Sequence, residues 1–383
     1  MGLRIVLAGG GSGGHIYPAL AIYQAMKEAD PSLEVLYLGT RHGLEASLVP
    51  NHQLPFRAIH AQGMLGQGWK KQTLGAASVL WGGVEAVAIL RQFRPDLVIG
   101  TGGYVTWPVG MAAVVLGVGL VIQEQNVWPG LTNRLLSRFA ALVMTPFEES
   151  RAYFSHPRRV KVIANPVPPP VPKTREQARQ SLGLDPAIRL LMATGGSQGA
   201  AGINDWVLDL LPAVIDAPDL GLLWATGPRY YPAVAERLAG AYGPLDPRRI
   251  RVQAYFDAIG QCYRASDLFL GRAGAMTIAD CLAYGLPMVL VPSPHVSEDH
   301  QTRNAGKLEK QGAALAMVER DLGPRATERV LKLVADGSAL AVMAENTRRI
   351  SDPRAADKMA KLILDLNRRP RGGESHRLRT NRR

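Results

Sequence analysis

Two glycine-rich segments, about half a chain apart, could each bind an anionic group. The first reads GGGSGGH at residues 9–15 and the second reads GGSQGA at 195–200. Each segment follows an apolar, strand-like run and precedes a helix-like run. A strand, a glycine turn and a helix N-terminus leave backbone N–H groups free and point a positive dipole end at the ligand. The repeated unit therefore predicts two anion-binding loops.

Three further segments place glycine or polar residues directly after strand-like runs. They read GTGGY at 100–104, EQN at 124–126 followed by PGLTN at 129–133, and GRAGAMT at 271–277. Open parallel sheets bind ligands beyond the carboxyl ends of their strands, so all these segments are expected to line one crevice. The backbone N–H groups of Ala275, Met276 and Thr277 would face a phosphate or a sugar there.

Two carboxylates stand where they could do chemistry. Glu124 follows a buried strand and could act as a base or bind a sugar hydroxyl, or it could be an exposed loop carboxylate. Asp280 lies about one turn into a predicted helix and could reach a ribose diol. Alternatively, Asp280 is an acidic residue near the start of the helix whose negative charge interacts favourably with the helix dipole.

Two amides complete the set of polar candidates. Gln301 and Asn304 are three residues apart in the segment EDHQTRNA at 298–305, so they share a helix face. Amides on one face suit sugar hydroxyls. No cluster with the spacing of metal ligands accompanies the nearby histidines and acids, and no metal site is predicted.

Two common nucleotide-binding classes do not fit the loops. A dinucleotide fold needs an acid at the end of its second strand, where this chain has Leu38-Gly39-Thr40-Arg41, and Glu45 comes later. Neither glycine loop ends in the Gly-Lys-Ser/Thr of a P-loop. The remaining interpretation is a nucleotide diphosphate held without a cofactor, by helix N-termini and the hydroxyls of Ser12, Ser197 and Thr277.

Strands and helices alternate along both halves of the chain. The strands are predicted at 4–8, 35–38, 97–100, 120–123, 141–144, 160–163, 190–194, 221–225, 250–253, 268–270, 288–291 and 313–317. This alternation predicts an α/β protein with two Rossmann-like, doubly wound parallel sheets facing a central cleft.

Five prolines between residues 166 and 172 mark the clearest boundary, because proline cannot continue a helix or a central strand. The sequence predicts an N-terminal domain over 1–164, a proline-rich linker over 165–174 and a C-terminal domain over 175–345. A last helix is predicted at about 346–367, and residues 368–383 are predicted to be a disordered basic tail.

The composition is that of a globular protein, with 47% hydrophobic and 20% charged residues among 383. Half of the net charge of +12 lies in the tail, which holds seven arginines and one glutamate. Such a charge suits nucleic acid, an anionic membrane or a phosphorylated substrate. Nucleic acid is not predicted, because no RNA-recognition aromatic motif or zinc finger is found. Cys262 and Cys281 are interpreted as buried, reduced thiols.

Taken together, these motifs resemble the MurG family of N-acetylglucosaminyltransferases in peptidoglycan synthesis. NPV at 165–167 belongs to the same set, and the motifs run in the family's order from residue 9 to 305. The resemblance implies a GT-B fold whose last helix returns to the first domain. It also implies inverting transfer of GlcNAc from UDP-GlcNAc to the C4 hydroxyl of the MurNAc in undecaprenyl-linked lipid I, which forms lipid II.

The resemblance also assigns residues to the two substrates. On the donor side it implies contacts from Ser197, Gln198, Asn204, Phe256, Ala275, Met276, Thr277, Asp280, Gln301 and Asn304. On the acceptor side and in the cleft it implies Ser12, Gly13, Gly14, His15, Tyr104, Glu124 and Asn126. Phe256 is expected at the uracil through its main chain.

Two positions depart from the family pattern. Pro168 stands where the family often has an arginine near the uracil, and Lys173 or Arg175 could replace that arginine. Asp280 stands where the family often has glutamate, which is one methylene longer.

His15 is the preferred general base over Glu124, because an imidazole titrates near neutral pH. The alternative is that His15 only positions the substrate or caps the helix.

The acceptor's polyprenyl tail implies contact with the cytoplasmic membrane surface by a peripheral protein. Residues 63–74, followed by Val79-Leu80-Trp81, mix apolar and aromatic side chains with two lysines, which is typical of an interfacial contact. An ordinary buried helix with solvated lysines is the alternative. The basic tail is expected to help binding to anionic lipids at the cytoplasmic face.

Two other functions remain open at this stage. The chain could be another GT-B lipid glycosyltransferase, such as a diacylglycerol glycosyltransferase. It could instead be a non-catalytic subunit that binds a nucleotide sugar. The Glu124 and GTGGY loops favour the MurG-like function, and His15, Glu124 and Gln301 argue against a silent subunit.

Overall fold

Two parallel β-sheets form the framework of the protein. The structure is a computed structural model that describes residues 2–62, 69–294 and 299–368. The side chains of all these residues are described except those of 69–77 and 368. The first sheet has seven strands in the order β3-β2-β1-β4-β5-β6-β7. Its strands are β1 (Arg4–Gly9), β2 (Glu34–Gly39), β3 (Phe56–Ala58), β4 (Leu97–Gly102), β5 (Gly119–Gln123), β6 (Leu142–Thr145) and β7 (Val160–Val162). Its helices are α1 (Gly13–Ala29), α2 (Glu45–Asn51), α3 (Trp69–Phe93), α4 (Thr106–Leu116) and α5 (Leu131–Leu136).

The second sheet has six strands in the order β10-β9-β8-β11-β12-β13. Helix α6 (Arg175–Ser181) precedes it. The strands are β8 (Arg189–Thr194), β9 (Leu220–Ala225), β10 (Ile250–Gln253), β11 (Leu268–Gly271), β12 (Met288–Leu290) and β13 (Ala314–Ala316). The helices are α7 (Ala201–Asp216), α8 (Tyr231–Tyr242), α9 (Ile259–Ala265), α10 (Ala275–Tyr284), α11 (His300–Lys310), α12 (Pro324–Ala335), α13 (Gly337–Ile350) and α14 (Ala355–Arg368).

The predicted α/β class with two parallel, Rossmann-like sheets is confirmed. Every strand predicted from the sequence occurs, with its ends shifted by no more than two residues. The strand β3 (Phe56–Ala58) was not predicted, because its three residues pair only with β2 at the sheet edge and leave too short a pattern to detect.

Both sheets are covered on both faces, which explains the almost continuous apolar runs of their strands. In β1, Ile5 and Leu7 belong to one core, and Val6 and Ala8 belong to the core on the opposite face. The second sheet likewise has one core on each face.

Strand order fixes the place of the cleft. In each sheet the chain reverses its direction of winding between two neighbouring strands, β1 and β4 in the first sheet and β8 and β11 in the second. The loops after these four strands are the two glycine loops, GTGGY and GRAGAMT. Ligands bind open α/β sheets at such switch points, so the topology brings these segments to the mouth of the cleft.

The proline-rich linker is packed between the two sheets. Asn165 and Val167 are buried, and the Asn165 amide donates to the Gln125 carbonyl at 2.9 Å. The Val171 N–H donates to the Tyr284 hydroxyl at 3.2 Å. The assignment of residues 165–174 as a domain linker stays a prediction.

Helix α14 returns to the first sheet. Its buried Met359, Ala360, Ile363 and Leu364 join the core that contains α1. The predicted start of this helix at about 346 was wrong, because residues 346–350 belong to α13, which packs on α10 and α12. Residues 351–354 break the helix between them. Of the predicted tail, 369–383 lie outside the described residues.

We expect Ile363→Ala to lower the free energy of unfolding by about 2–5 kcal/mol, because it deletes a fully buried side chain and leaves a cavity. Lys361→Ala, on the exposed face of the same helix, should change it by less than about 0.5 kcal/mol. Urea unfolding measures both values. Equal, small effects would show that α14 does not contribute to the core.

Candidate functional site

The first glycine loop holds the His15 ring in one orientation. The Nδ1 atom of His15 lies 3.1 Å from the Gly10 carbonyl oxygen and 3.3 Å from the Ser12 hydroxyl. A carbonyl oxygen can only accept, so in the neutral ring Nδ1 carries the proton and donates it to Gly10. This tautomer leaves the lone pair on Nε2.

The GTGGY turn lies against the same ring. A Cβ atom on Gly102 would stand 3.1 Å from Nε2 and 2.8 Å from Cδ2 of His15, and Gly102 has a φ of +107°. Only glycine combines that backbone with that lack of bulk. The turn after β4 therefore makes room for the imidazole at the end of β1.

Electrostatics keep His15 neutral near pH 7. Burial lowers the pKa of His15, while the negative charge of Glu124 and the hydrogen bond to Gly10 oppose that shift. The charge of His300 lowers the pKa further and that of Glu45 raises it. The site thus holds a neutral imidazole with an unprotonated Nε2, and nearby carboxylates would stabilise its protonated form.

Glu124 is an anchor for the loop that follows β5. It is 1% exposed, and its Oε1 accepts from the Gln125 and Asn126 N–H groups, both at 2.9 Å, and from the Asn126 amide at 3.1 Å. Its Oε2 accepts from the Gly130 N–H at 3.0 Å and from the Asn133 amide at 2.8 Å. Five donors occupy both oxygens, an arrangement that suits a fixed carboxylate better than one that exchanges protons with a substrate.

Two polar residues of this region were not predicted as site residues. Glu45 is buried at the start of α2, where it accepts from the Thr40 hydroxyl at 2.7 Å and the Gly11 N–H at 3.4 Å. Asn133 is buried, and its Oδ1 has no hydrogen-bond partner among the described atoms. Asn133 ends the PGLTN motif, which could have identified it, whereas no local sequence signal marks Glu45.

Tyr104 covers the first glycine loop, since a Cβ on Gly11 would stand 2.7 Å from its ring. Burial raises the pKa of Tyr104. The backbone of Gly13 and Gly14 forms the first turn of α1, whose N-cap residue Ser12 makes no side-chain capping bond. The structure thus brings Ser12, Gly13 and Gly14 next to His15 in the first glycine loop, with the Tyr104 ring over Gly11.

The second glycine loop is open to solvent. Ser197 and Gln198 are exposed, between Gly196 and Gly199 with φ values of +91° and +75°. The helix α7 that follows has no side-chain cap at its N-terminus. Its first N–H groups are thus available to an anion.

Helix α10 presents a similar N-terminus. Ala275, Met276 and Thr277 form its first turn, are partly exposed, and follow Gly274, which cannot cap them with a side chain. Asp280 follows on the same helix, partly buried, and burial raises its pKa to about 7. The Phe256 side chain is buried in the core, so only its main chain is left for a ligand.

Two predicted donor-side contacts need correction. Asn204 is buried on α7, where its amide donates to the Thr226 carbonyl at 2.9 Å and its oxygen accepts from the Trp224 indole at 3.1 Å. It ties α7 to β9 and does not line the cleft. Arg175 was one candidate to replace the arginine that the family often has where this chain has Pro168. Its guanidinium is paired with the Asp267 carboxylate at 2.7 Å.

Asn304 also differs from its predicted role. It is 1% exposed, its oxygen accepts from the Val127 N–H at 3.2 Å, and its amide donates to Asn126 at 3.2 Å. Asn304 therefore joins the second sheet's helix α11 to the first sheet's Glu124 loop. Gln301 stays at the cleft, partly buried, and its oxygen accepts from the Ser293 N–H at 2.9 Å.

No group of three or more histidine, cysteine, aspartate or glutamate side chains within residues 2–62, 78–294 and 299–367 is arranged to hold a metal ion.

Comparison with known proteins assigns both halves of the chain. The model of the glycosyltransferase family 28 N-terminal domain matches residues 5–145, and that of the glycosyltransferase family 28 C-terminal domain matches residues 190–361. Proteins named UDP-N-acetylglucosamine–N-acetylmuramyl-(pentapeptide) pyrophosphoryl-undecaprenol N-acetylglucosamine transferase are similar along nearly the whole chain. Those of Symbiobacterium thermophilum and Moorella thermoacetica are each 40% identical, over 96% and 94% of this chain and 98% of their own.

Solved structures agree with that assignment. The crystal structure of Acinetobacter baumannii MurG is similar with a TM-score of 0.75 and 27% identity, over 95% of this chain and 99% of that chain. The Streptomyces glycosyltransferase SsfS6, solved with thymidine diphosphate, shares the fold alone, with a TM-score of 0.65 and 17% identity over 95% of this chain and 99% of its own.

We expect Glu124→Gln to lower the pKa of His15 further, because the substitution removes a negative charge that stabilises the imidazolium. Glu149→Gln removes a carboxylate that does not contribute to the His15 shift and should leave that pKa unchanged. NMR titration of the imidazole, assigned with His15→Gln, measures both. An unchanged or raised value in Glu124→Gln would contradict the proposed electrostatics.

Proposed function

This chain belongs to glycosyltransferase family 28, and from that membership we propose that it transfers N-acetylglucosamine from UDP-N-acetylglucosamine to undecaprenyl-linked lipid I. The product is lipid II of peptidoglycan synthesis. The observation that carries this proposal is the 40% identity to transferases of that name over nearly the full length of both chains. The fold and the cleft supply the parts that the reaction needs.

The reaction joins the C4 hydroxyl of MurNAc to the anomeric carbon of GlcNAc. The hydroxyl attacks from the face opposite UDP, so the configuration inverts and a β-1,4 bond forms. The hydroxyl must lose its proton, and the leaving diphosphate must be stabilised. The two sides of the cleft divide these tasks.

His15 is our proposed general base. Its neutral ring donates from Nδ1 to Gly10 and offers Nε2 to the acceptor hydroxyl. As the proton arrives, the negative charges of Glu124 and Glu45 stabilise the imidazolium. Glu124 itself positions the loop through its five hydrogen bonds, so of the two predicted catalytic residues we assign the proton transfer to His15.

The donor is assigned to the loops of the second sheet. The uncapped N-termini of α7 and α10, with the hydroxyls of Ser197 and Thr277, suit the diphosphate as its negative charge grows. Asp280 is assigned to the ribose, and its raised pKa gives the carboxyl a protonated share that can donate to a hydroxyl. Gln301 is assigned to the sugar hydroxyls.

An exposed apolar surface on the first domain suits the lipid acceptor. Leu80, Trp81 and Val84 on α3 are 75%, 59% and 61% exposed, and Val115 on the neighbouring helix α4 is 71% exposed. Leu80, Trp81 and Val84 share one face of α3 by their spacing, and exposed apolar side chains grouped in this way mark an interaction surface. We propose that this surface rests on the cytoplasmic face of the membrane. Within the membrane contact predicted from the sequence, residues 63–68 and the side chains of 69–77 lie outside the part of the chain that the structure describes.

Among the described helices, none has the length and apolar character needed to cross a bilayer.

We expect labelled GlcNAc to pass from UDP-GlcNAc to a lipid I analogue, both with and without EDTA. In His15→Ala, kcat should fall by about 10²- to 10⁴-fold, the range that a general base contributes. His52→Ala, an exposed histidine in the same domain, should leave it unchanged. UDP-GlcNAc binding without transfer to lipid I, but with transfer to diacylglycerol or to no acceptor, would contradict the proposal.

We expect Trp81→Glu to weaken binding to anionic vesicles by about 10- to 150-fold, since burying one large apolar side chain contributes about 1.5–3 kcal/mol. Val342→Glu changes an equally exposed apolar residue, 62% exposed on α13, and should have no effect. Vesicle flotation measures both. An absence of vesicle binding by the full chain and by a chain ending at residue 368 would refute the membrane assignment.

A further inference from the structure

Glu45 is a fully buried carboxylate beside the first glycine loop, away from the surface that a substrate can reach. Three glycines make room for it. A Cβ atom would stand 2.6 Å from its Oε1 if added to Gly10, 2.5 Å from its Cγ if added to Gly39, and 2.3 Å from both of its oxygens if added to Gly43. None of the three glycines has a positive φ, so the volume of the Glu45 side chain is what requires them.

Thr40 fixes the orientation of this carboxylate. The Oε1 atom of Glu45 accepts from the Thr40 N–H at 3.0 Å and from the Thr40 hydroxyl at 2.7 Å. The other oxygen, Oε2, accepts from the Gly11 N–H at 3.4 Å. The carboxylate therefore faces the peptide group between Gly10 and Gly11.

That peptide group also holds the ring of the proposed base. Its carbonyl oxygen, on Gly10, lies 3.1 Å from Nδ1 of His15, which donates to it in the neutral ring. The peptide bond is trans, so its N–H and its C=O point in opposite directions. A Cβ atom on Gly103 would stand 2.2 Å from the Gly10 oxygen, so the turn after β4 closes over this contact. One peptide group thus connects the imidazole on one side with the Glu45 carboxylate on the other.

The connection strengthens when the base takes a proton. A proton on Nε2 makes the ring an imidazolium, which donates more strongly from Nδ1 to the Gly10 carbonyl. The polarised carbonyl makes the N–H of the same peptide group a better donor toward the carboxylate of Glu45. The 3.4 Å between the Gly11 nitrogen and Oε2 is long for a hydrogen bond in the resting state, and such contacts shorten in the transition state. An interaction that strengthens in this way raises kcat.

The two carboxylates near the ring act by different routes. Burial is the largest influence and lowers the pKa of His15, whereas Glu124 and the hydrogen bond to Gly10 raise it. His300 lowers this pKa and Glu45 raises it. Glu124 bonds the loop after β5, while Glu45 bonds the peptide group that holds Nδ1. Substitution of Glu45 therefore changes both a charge and a contact to the base.

We propose that Glu45 is a positioning residue for the base, which orients the His15 imidazole and stabilises its protonated form through the Gly10–Gly11 peptide group. Glu45 touches neither substrate. The carboxylate of a Ser-His-Asp triad has this role in direct contact with the imidazole, and here a peptide group lies between the two. This inference rests on the proposed function, because it concerns how His15 takes the proton of the acceptor hydroxyl.

Substitution of Glu45 in the full-length enzyme tests the connection. We expect Glu45→Gln, which removes the charge at nearly constant volume, to lower kcat by about 10- to 100-fold, the size of a hydrogen bond to a charged group. The KM values of both substrates should change by less than about threefold. The acid limb of the kcat profile should move to lower pH, because loss of the negative charge lowers the pKa of His15. Glu28→Gln, an exposed carboxylate on the helix that carries His15, should change none of these values.

The loss should depend on His15. In His15→Ala, the further change Glu45→Gln should lower kcat by less than about twofold, because the two residues act as one unit. Losses that multiply would show that Glu45 acts independently of the base and would overturn the proposal. A Glu45→Gln enzyme with unchanged kcat and an unmoved acid limb would also overturn it.

Gly43→Ala separates the contact from the charge. Its methyl group would stand 2.3 Å from both oxygens of Glu45, so the carboxylate must shift while its charge remains. We expect kcat to fall as in Glu45→Gln and the acid limb to move less. Gly240→Ala adds a methyl group that meets no atom within 4 Å and should leave kcat unchanged. Full kcat in Gly43→Ala would contradict the proposed contact, and this variant provides the test even if Glu45→Gln does not fold.

NMR of the Gly11 amide distinguishes this inference from the transfer reaction. As His15 becomes protonated, the Gly11 amide proton of the unchanged enzyme should move downfield, because its hydrogen bond to Glu45 shortens. In Glu45→Gln this movement should be largely lost, and the pKa of His15 should fall. Equal movement and an equal pKa in both proteins would refute the positioning role, whatever acceptor the enzyme uses.

Discussion

The cleft depends on one buried negative charge. Glu124 is almost wholly removed from water, and a carboxylate can be kept there only if its oxygens are satisfied. The chain meets that requirement with donors from Gln125, Asn126, Gly130 and Asn133, which bends the backbone after β5 into a fixed loop. The same charge acts on the His15 imidazole, so one residue shapes the loop and tunes the base.

This arrangement makes the two domains unequal partners. The first domain surrounds His15 with two buried carboxylates, Glu124 and Glu45, whose negative charges partly offset the burial that lowers the pKa of the ring. The second domain offers helix N-termini, which favour negative charge. In the proposed reaction the proton moves toward the first domain and negative charge grows on the leaving group in the second. The fields of the two domains therefore act in the same direction along the reaction.

The sequence alone predicted the features that follow from local pattern. The glycine loops follow strands such as Arg4–Gly9 and Arg189–Thr194, which are apolar runs bounded by glycine. Parallel-sheet topology then places each loop at the switch point of its own sheet. The sequence could not predict contacts that arise only when distant segments meet. Asn204 and Asn304 look alike as polar residues on helices, yet one is bound to Trp224 inside its own domain and the other joins the two domains. Glu45 is similar in part, since it accepts from the Gly11 N–H, 34 residues away, as well as from the nearby Thr40 hydroxyl.

The charges near each helix N-terminus decide which loop suits the donor diphosphate, although the two glycine loops read alike. At the first loop the Gly11 N–H already faces the carboxylate of Glu45, which would repel a phosphate. At α7 the carboxylate of Glu319 lies beside Gly202, but it is paired with both terminal nitrogens of Arg272, at 2.9 Å each, and is thereby neutralised. The first turn of α10 carries no acid, and the next acid along this helix, Asp280, has a pKa raised to about 7. The N-terminus of α10 is thus the least opposed by carboxylates, which is the physical reason to assign the leaving diphosphate to it.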